Sequence, residues 1–263
     1  MSHARNILVT GAASGIGRAL VGQLVDAGHH VVATDRDRAG LERAAEAWPG
    51  VEVRGLDVTC PLAWEAAVAA MRRCFGPVDV LVNVAGVLVP GWAHEIPQEA
   101  VDAHVDVNLK GVVHGMRAVI PDMIERRAGH VVNVASLAAL APVSGLALYA
   151  ATKYAVRGYS LSVAQELRRH GVAVTVVCPD AVDTPMLDVQ RGVAAAELTF
   201  SGPRVLTPPQ VGRAIVRALE RRPLEVWLPG SRGWMARMAD LLPGSARLLD
   251  PLLRWQGRRN QRF

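Results

Sequence analysis

Short apolar runs recur along this chain, and between them the apolar positions space out at three and four residues. Asn6-Ile7-Leu8-Val9-Thr10 is the first run; it enters a glycine turn, the pattern of a parallel strand buried on both faces. Arg18 to Val25 reads as a helix, and His30-Val31-Val32-Ala33-Thr34 forms a second strand that ends at Asp35. Residues 51–54, 78–82, 130–134 and 172–177 are four more strand candidates, with Glu225-Val226-Trp227-Leu228 as a short seventh. Helical stretches separate them. The alternation predicts the α/β class: a doubly wound parallel sheet of about seven strands with helices on both faces. At 263 residues the chain exceeds the usual domain length, yet an α/β fold of this size forms a single domain. Its predicted body covers residues 1–230. Residues 231–263 are a basic amphipathic extension, part of the same domain or a tail.

The first strand, turn and helix carry chemistry. Gly11, Gly15 and Gly17 follow Thr10, so the spacing is Gly-x-x-x-Gly-x-Gly. Glycines here let the backbone approach a pyrophosphate, and the helix start offers free N–H groups and a positive dipole end. Asp35 lies about 20 residues on, where a carboxylate accepts from the adenosine ribose hydroxyls. The pattern predicts a Rossmann-type dinucleotide site; a tight strand-to-helix turn is the plainer alternative.

Only two lysines occur beside 27 arginines, and one of them, Lys153, lies four residues after Tyr149. On a helix that spacing puts both side chains on one face. A phenol titrates near ~10 and is a poor acid or base at neutral pH. A neighbouring ammonium favours the phenolate and is expected to lower that value, making the hydroxyl usable for proton transfer.

Taken together, these residues resemble the short-chain dehydrogenase/reductase family, over roughly residues 5 to 230. Thr10-Gly11-Ala12-Ala13-Ser14-Gly15-Ile16-Gly17 matches its cofactor motif. Asp57-Val58 matches the pair that contacts the adenine ring. Asn83-Val84-Ala85-Gly86 matches the motif that steadies the central sheet beside the cofactor. Asn108, Ser136, Tyr149 and Lys153 match the catalytic tetrad, Ser136 standing thirteen residues before Tyr149. The resemblance implies a hydride transfer between NAD(H) and an alcohol or ketone. Tyr149 would be the base or acid, Lys153 would tune it and bond the cofactor ribose, and Ser136 would orient the substrate oxygen. Asn108 would anchor a water that relays protons. Around the cofactor it further places Pro179, Val182 and Thr184, the last on the nicotinamide carboxamide. Family members preferring NADP usually have a basic residue where Ser14 stands, and Asp35 repels a 2′-phosphate, so NAD is expected over NADP. Arg36, beside Asp35, either reaches a phosphate or is simply solvated. The resemblance also implies a homodimer or homotetramer built through the helices carrying Asn108 and Lys153.

One departure stands out. After the strand ending at Cys178 the family has Pro-Gly, whereas this chain has Pro179-Asp180. Asp180 either points to solvent as a turn residue or narrows the pocket and meets a polar group of the substrate. The pocket itself is expected from Leu137, Leu140, Val143 and Leu146, from Met186, Leu187 and Val189, and from Val87, Leu88 and Val89. With almost no fixed charge among them, a lipophilic secondary alcohol or ketone of steroid, terpenoid or acyl type fits better than a sugar or an acid.

Composition narrows the surroundings. The start runs straight into the first strand with no signal-peptide pattern, and no apolar run approaches the length of a membrane span. Cys60, Cys74 and Cys178 are odd in number and scattered, so buried thiols in a reducing cytoplasm are expected, without disulfides or a metal site. Residues 201–263 hold 12 Arg against 4 Asp/Glu, while residues 1–200 hold 17 Lys+Arg against 20 Asp/Glu. The basic excess therefore belongs to the C-terminal stretch, with Trp227, Trp234 and Trp255. Trp234, Met238, Leu241 and Leu242 share a helical face, with Arg237 and Asp240 off it. After Pro243-Gly244 the pattern resumes at Leu248, Leu249, Leu252 and Leu253. Two readings are open: segments that lie on an anionic membrane or lid a lipophilic site, or a helix packed on the pocket or a neighbouring subunit and followed by a solvated tail. No stacking platform accompanies the basic residues, so nucleic acid is not expected as a partner. A cofactor-binding sensor or scaffold that uses the basic tail for its partner is the alternative to the enzyme.

Overall fold

The computed structural model describes residues 4–261. Three βα units open it: β1 (Asn6–Thr10), α1 (Gly15–Asp26), β2 (His30–Asp35), α2 (Arg38–Ala45), β3 (Glu52–Gly55) and α3 (Pro61–Cys74). β4 (Val80–Asn83) leads to α4 (Gln98–Ala103), which runs through a π-helical stretch, His104–Lys110, into α5 (Gly111–Glu125). β5 (Gly129–Val134), α6 (Ala147–Leu167), β6 (Val172–Pro179), α7 (Pro185–Asp188), α8 (Pro208–Arg221) and β7 (Glu225–Leu228) follow, then α9 (Gly230–Leu241) and α10 (Pro243–Gln261).

All seven strands pair in parallel, in the order β3-β2-β1-β4-β5-β6-β7. The order reverses between β1 and β4, and a crevice opens at such a switch point beyond the strands' C-terminal ends. Alternate residues of each strand feed two cores. Leu8, Val32, Leu81 and Val131 face Trp64, Met71, Met116, Met123 and Val156 of α3, α5 and α6. Ile7, Val9, Val31, Val80 and Val132 face Leu20, Leu24, Leu41, Val211 and Ile215 of α1, α2 and α8. Each large apolar side chain so buried contributes about 1.5–3 kcal/mol. Both faces are covered, which is why these strands read as continuous apolar runs rather than as alternation.

The seven predicted strands are present, with shifted ends. The fourth begins at Val80 rather than Val78, because Asp79 is occupied as a tether: its carboxylate accepts the Asn6 N–H at 3.0 Å and pairs with Arg126. The expectation of three buried thiols holds for Cys178 alone. Cys60 and Cys74 are exposed, at the start and in the last turn of α3, and all three are free. No helix among the described residues is long and apolar enough to cross a membrane.

Candidate active site

The glycine turn sits at the switch point. Gly11 has φ +69°, a conformation that side chains with a Cβ rarely adopt, and a Cβ there would lie 2.8 Å from the Ala85 nitrogen. Gly17 packs α1 against the turn so closely that a Cβ would meet the Gly11 carbonyl oxygen at 2.1 Å. Thr10 fastens the other side: its hydroxyl accepts the N–H groups of Val84 and Ala85 at 3.1 and 3.2 Å. Ser14 is the N-cap of α1, but its hydroxyl makes no capping bond, so no side chain caps the start of α1. These are the features of an anion cradle. Asp35 also shapes the turn. Its carboxylate accepts the Ala13 N–H and the Asp37 N–H, each at 2.9 Å, while Arg36 is exposed beside it. Asp57 is held below the usual carboxylate range by the Thr59 N–H and hydroxyl that it accepts. The Val58 side chain is buried in the core, and its carbonyl accepts the Trp64 indole N–H. Asn83 is turned away from the crevice; its amide donates to Asn133, which donates to Ser160.

A cavity of about 320 Å³ extends from this crevice. Ile16, Gly86, Ser136, Tyr149, Lys153, Pro179, Val182 and Thr184 line it, so residues from five separate stretches of chain meet there. Asn108 lies just behind. Its Oδ1 accepts the Val87 N–H at 2.8 Å, and its Nδ2 donates to the Val87 carbonyl and to the Thr152 hydroxyl. A Cβ on Gly86 would sit 3.2 Å from Asn108 Oδ1, a tight contact, and 3.6 Å from Lys153 Nζ, an ordinary one. Thr152, overlooked in the sequence although it lies between Tyr149 and Lys153, donates to the Tyr149 carbonyl at 2.9 Å. His104 was also overlooked: its ring bridges the Ala100 carbonyl and the Val89 N–H, and it meets the Tyr149 ring edge-on at 6.5 Å.

Electrostatics here differ from the sequence expectation. Lys153 Nζ lies 5.6 Å from the centre of the Tyr149 ring and donates to the Val134 carbonyl at 3.0 Å. Burial nevertheless pushes the Tyr149 phenol up to about 12, and the Ser136 hydrogen bond, which favours the phenolate, is the smaller effect. Burial likewise pulls Lys153 from 10.5 down to about 8. Desolvation is the largest effect on both groups. The phenol therefore keeps its proton at neutral pH.

A buried ammonium with a lowered pKa destabilises the fold wherever the unfolded lysine is charged. Lys153→Met is therefore expected to be more stable than the wild type at pH 7. The downward shift corresponds to ~3 kcal/mol, offset by ~1–2 kcal/mol for the Val134 carbonyl left without a donor. Between pH 8 and 10.5 the unfolded lysine holds a proton that the folded one has lost, so wild-type stability rises with pH and the variant's advantage shrinks. Denaturant titrations at pH 7 and 10 check this; a variant less stable than the wild type at both, by the same margin, contradicts it.

The expected apolar wall is present in part. Leu88, Leu137, Val143, Leu146, Met186 and Leu187 line the cavity. Leu140 does not, because it is fully buried in the core beneath. Val189 is 54% exposed and lies outside the lining. Val87 and Val89 also lie outside it, their backbones gripped by Asn108 and His104. The expected lack of charge fails as well. Asp180 is half-buried in the wall rather than turned to solvent, and its carboxylate lies 2.5 Å from Arg232 Nε. Burial raises Asp180 above the usual carboxylate range, and Arg232 counters with a smaller pull.

Arg232 belongs to α9, and Met235, Ala236 and Ala239 of that helix line the cavity with it, as do Asp250 and Leu253 of α10. The extension is thus a roof on the pocket, not a free tail. Tyr154 ties α9 down through Asp240, and Trp227 packs edge-to-face on Trp234. Glu197 anchors α10 through Arg254 and Arg258. Arg237 pairs with Asp240. Much of the extension's positive charge is therefore answered within the chain. The face of Trp234, Met238, Leu241 and Leu242 points outward, with Trp234 64% exposed. Leu252 and Trp255 are exposed too, whereas the side chains of Leu248 and Leu249 lie outside the described residues.

The fold and this site define a dinucleotide-binding oxidoreductase. The short chain dehydrogenase model matches residues 5–192, and the chain belongs to that family. An uncharacterised oxidoreductase of Staphylococcus saprophyticus is 32% identical, over 81% of this chain and 90% of its own. A 3-alpha-(or 20-beta)-hydroxysteroid dehydrogenase of Mycobacterium tuberculosis is 40% identical, over 69% and 70%. Among solved structures, a short-chain dehydrogenase from Streptomyces avermitilis superposes with TM-score 0.81 at 29% identity, covering 96% of this chain and 98% of its own. A 3-ketoacyl-(acyl-carrier-protein) reductase from Brucella melitensis, complexed with NADH, gives 0.78 at 30% identity over 86% and 97%. A serine dehydrogenase complexed with NADP+ gives 0.76 at 32% over 84% and 93%.

Proposed function

We propose that this chain interconverts a lipophilic secondary alcohol and its ketone with NAD(H). One observation carries the reading: Ser136, Tyr149 and Lys153 line a largely apolar cavity that also reaches Ile16, between Gly15 and Gly17 of the glycine turn. The residues fit a nicotinamide dinucleotide, since glycines whose Cβ positions are filled by backbone flank a helix start that no side chain caps. Thr10, Gly11, Ser14, Gly15 and Gly17 would hold its pyrophosphate, and Asp35 its adenosine ribose. Val182 and Thr184 would hold its nicotinamide end. When bound, the cofactor supplies or accepts the hydride.

The chain's own groups handle the proton and the geometry. In reduction, the Tyr149 hydroxyl donates its proton to the substrate oxygen as that oxygen gains charge. The Ser136 hydroxyl bonds the same oxygen and aims it at Tyr149. Lys153 holds a positive charge beside the phenolate left behind. Asn108 clasps Val87 and Thr152 and so keeps the strand-end loop and α6 in register; it is a positioning residue. Asp35 favours NAD, because a 2′-phosphate would meet a carboxylate already committed to two backbone N–H groups. The apolar wall favours a lipophilic substrate, in keeping with the hydroxysteroids in one relative's name.

Purified protein assayed with NAD and NADP against apolar secondary alcohols tests the reading. Turnover is expected with NAD at a kcat/KM at least about tenfold above NADP. A reversed preference sinks the cofactor assignment. NAD binding without turnover of any alcohol moves the chain to the sensor reading, which the internally paired arginines of α9 and α10 disfavour. Flotation with anionic vesicles tests the extension separately; recovery at the top of the gradient replaces the roof assignment of its outer face with a membrane one.

A further inference from the structure

We infer that Asp180 and Arg232 form a second, charge-neutral anchor in the substrate cavity, which receives an uncharged oxygen acceptor carried by an otherwise apolar substrate. The inference rests on the proposed reading of this cavity as an alcohol and ketone site.

Asp180 is fixed from behind, its N–H donating to the Leu228 carbonyl at 2.7 Å. Arg232 reaches it from the first turn of α9, and both side chains line the cavity that Tyr149 lines. Gly202 lies flat against the pair: a Cβ there would be 3.3 Å from Asp180 Oδ2 and 3.4 Å from Arg232 Nη1. Thr199 and Ser201 complete this polar stretch of wall. The other charged lining residue of the roof, Asp250, is engaged by Arg254 at 2.8 Å. A guanidinium carries five N–H donors in a planar fork, and one carboxylate beside Nε leaves several of them to offer.

The pair's two charges cancel, which decides what it accepts. An anionic group approaching Arg232 also meets the Asp180 carboxylate, and a cationic group approaching Asp180 meets the guanidinium, in a setting largely removed from water. A hydroxyl, ketone or ester oxygen accepts from Arg232 without either repulsion. A site built this way also rejects an analogue lacking the oxygen, because the donors are then left without a partner. A pair that merely tied α9 to the end of β6 would influence stability and leave ligand ranking alone.

The experiment uses the full-length protein saturated with NAD, which has no hydride to give a ketone, and three probes of one chain length: undecan-2-one, 11-hydroxyundecan-2-one and 10-oxoundecanoate. Dissociation constants are measured by calorimetry for the wild type, Asp180→Asn and Arg232→Met, with melting curves confirming that each is folded. The wild type is expected to bind the hydroxyketone at least about tenfold more tightly than the plain ketone, and the carboxylate most weakly. Asp180→Asn exposes an unanswered guanidinium and is expected to bind the carboxylate at least about tenfold more tightly than the wild type does. Arg232→Met is expected to lose the preference for the hydroxyl and to bind the carboxylate still more weakly. The same ranking in all three proteins, or no probe bound by the wild type, overturns the anchor. Turnover of undecan-2-one with NADH, followed separately, reports on the reaction class alone. Turnover with an unchanged ranking removes the anchor and keeps the enzyme; the expected ranking without turnover does the reverse.

Discussion

Tyr149→Phe is expected to lower kcat by at least about 100-fold, the lower bound for losing a positioned acid or base, with little change in NAD affinity. The substitution removes one oxygen from a ring already packed against His104 and Leu146, so the wall keeps its shape. Turnover and cofactor affinity, measured separately, distinguish this from unfolding. A variant retaining more than a tenth of the activity removes Tyr149 from the proton transfer. The same group sets a pH signature. With the phenol pushed up to about 12 in the chain alone, the proton-bearing form prevails at neutral pH. Ketone reduction, which needs that proton, is expected to be flat at about pH 6 to 7 and to weaken towards pH 8, where Lys153 begins to lose the charge that steadies the phenolate. Alcohol oxidation, which needs the phenolate, is expected to rise with pH over the same range.

Gly17→Ala is the second large effect, and it acts through packing. The new Cβ would meet the Gly11 carbonyl oxygen at 2.1 Å and its carbon at 2.7 Å, and backbone atoms cannot swing aside as a flexible side chain can. Either α1 withdraws from the turn or the turn opens. Overpacking of this kind costs about 1–3 kcal/mol of stability. The cradle shifts with it, so NAD affinity is expected to fall at least about tenfold, since each 1.4 kcal/mol is a factor of ten. Melting temperature and NAD titration measure the two effects independently. An alanine variant that binds NAD as the wild type does would show that the close approach of α1 is not needed for the cofactor.

Local sequence carried the sheet because burial on both faces imposes a local composition: Ile7-Leu8-Val9 and Val131-Val132 cannot be read as anything exposed. It carried the glycine turn because only glycine tolerates the φ at Gly11 and the approach at Gly17. It carried the candidate tetrad through spacing and family resemblance. Other features depend on distant partners and left no local trace. Asp180 looks like a turn residue until α9 brings Arg232 beside it, fifty-odd positions along the chain. Leu140 looks like pocket lining until the core beneath it is filled. Thr152 and His104 look like ordinary helix residues until Asn108 and Val89 reach them.

The sequence by itself determined the family and the order of strands and helices, and it named a candidate tetrad. Tertiary structure alone decided three things: that burial raises the Tyr149 phenol, that the basic extension roofs the pocket, and that the pocket holds an ion pair. The physical reason is the same for all three. Desolvation and ion pairing are properties of surroundings assembled from distant segments, and a residue's neighbours in sequence do not fix how much water it loses or which charge it meets.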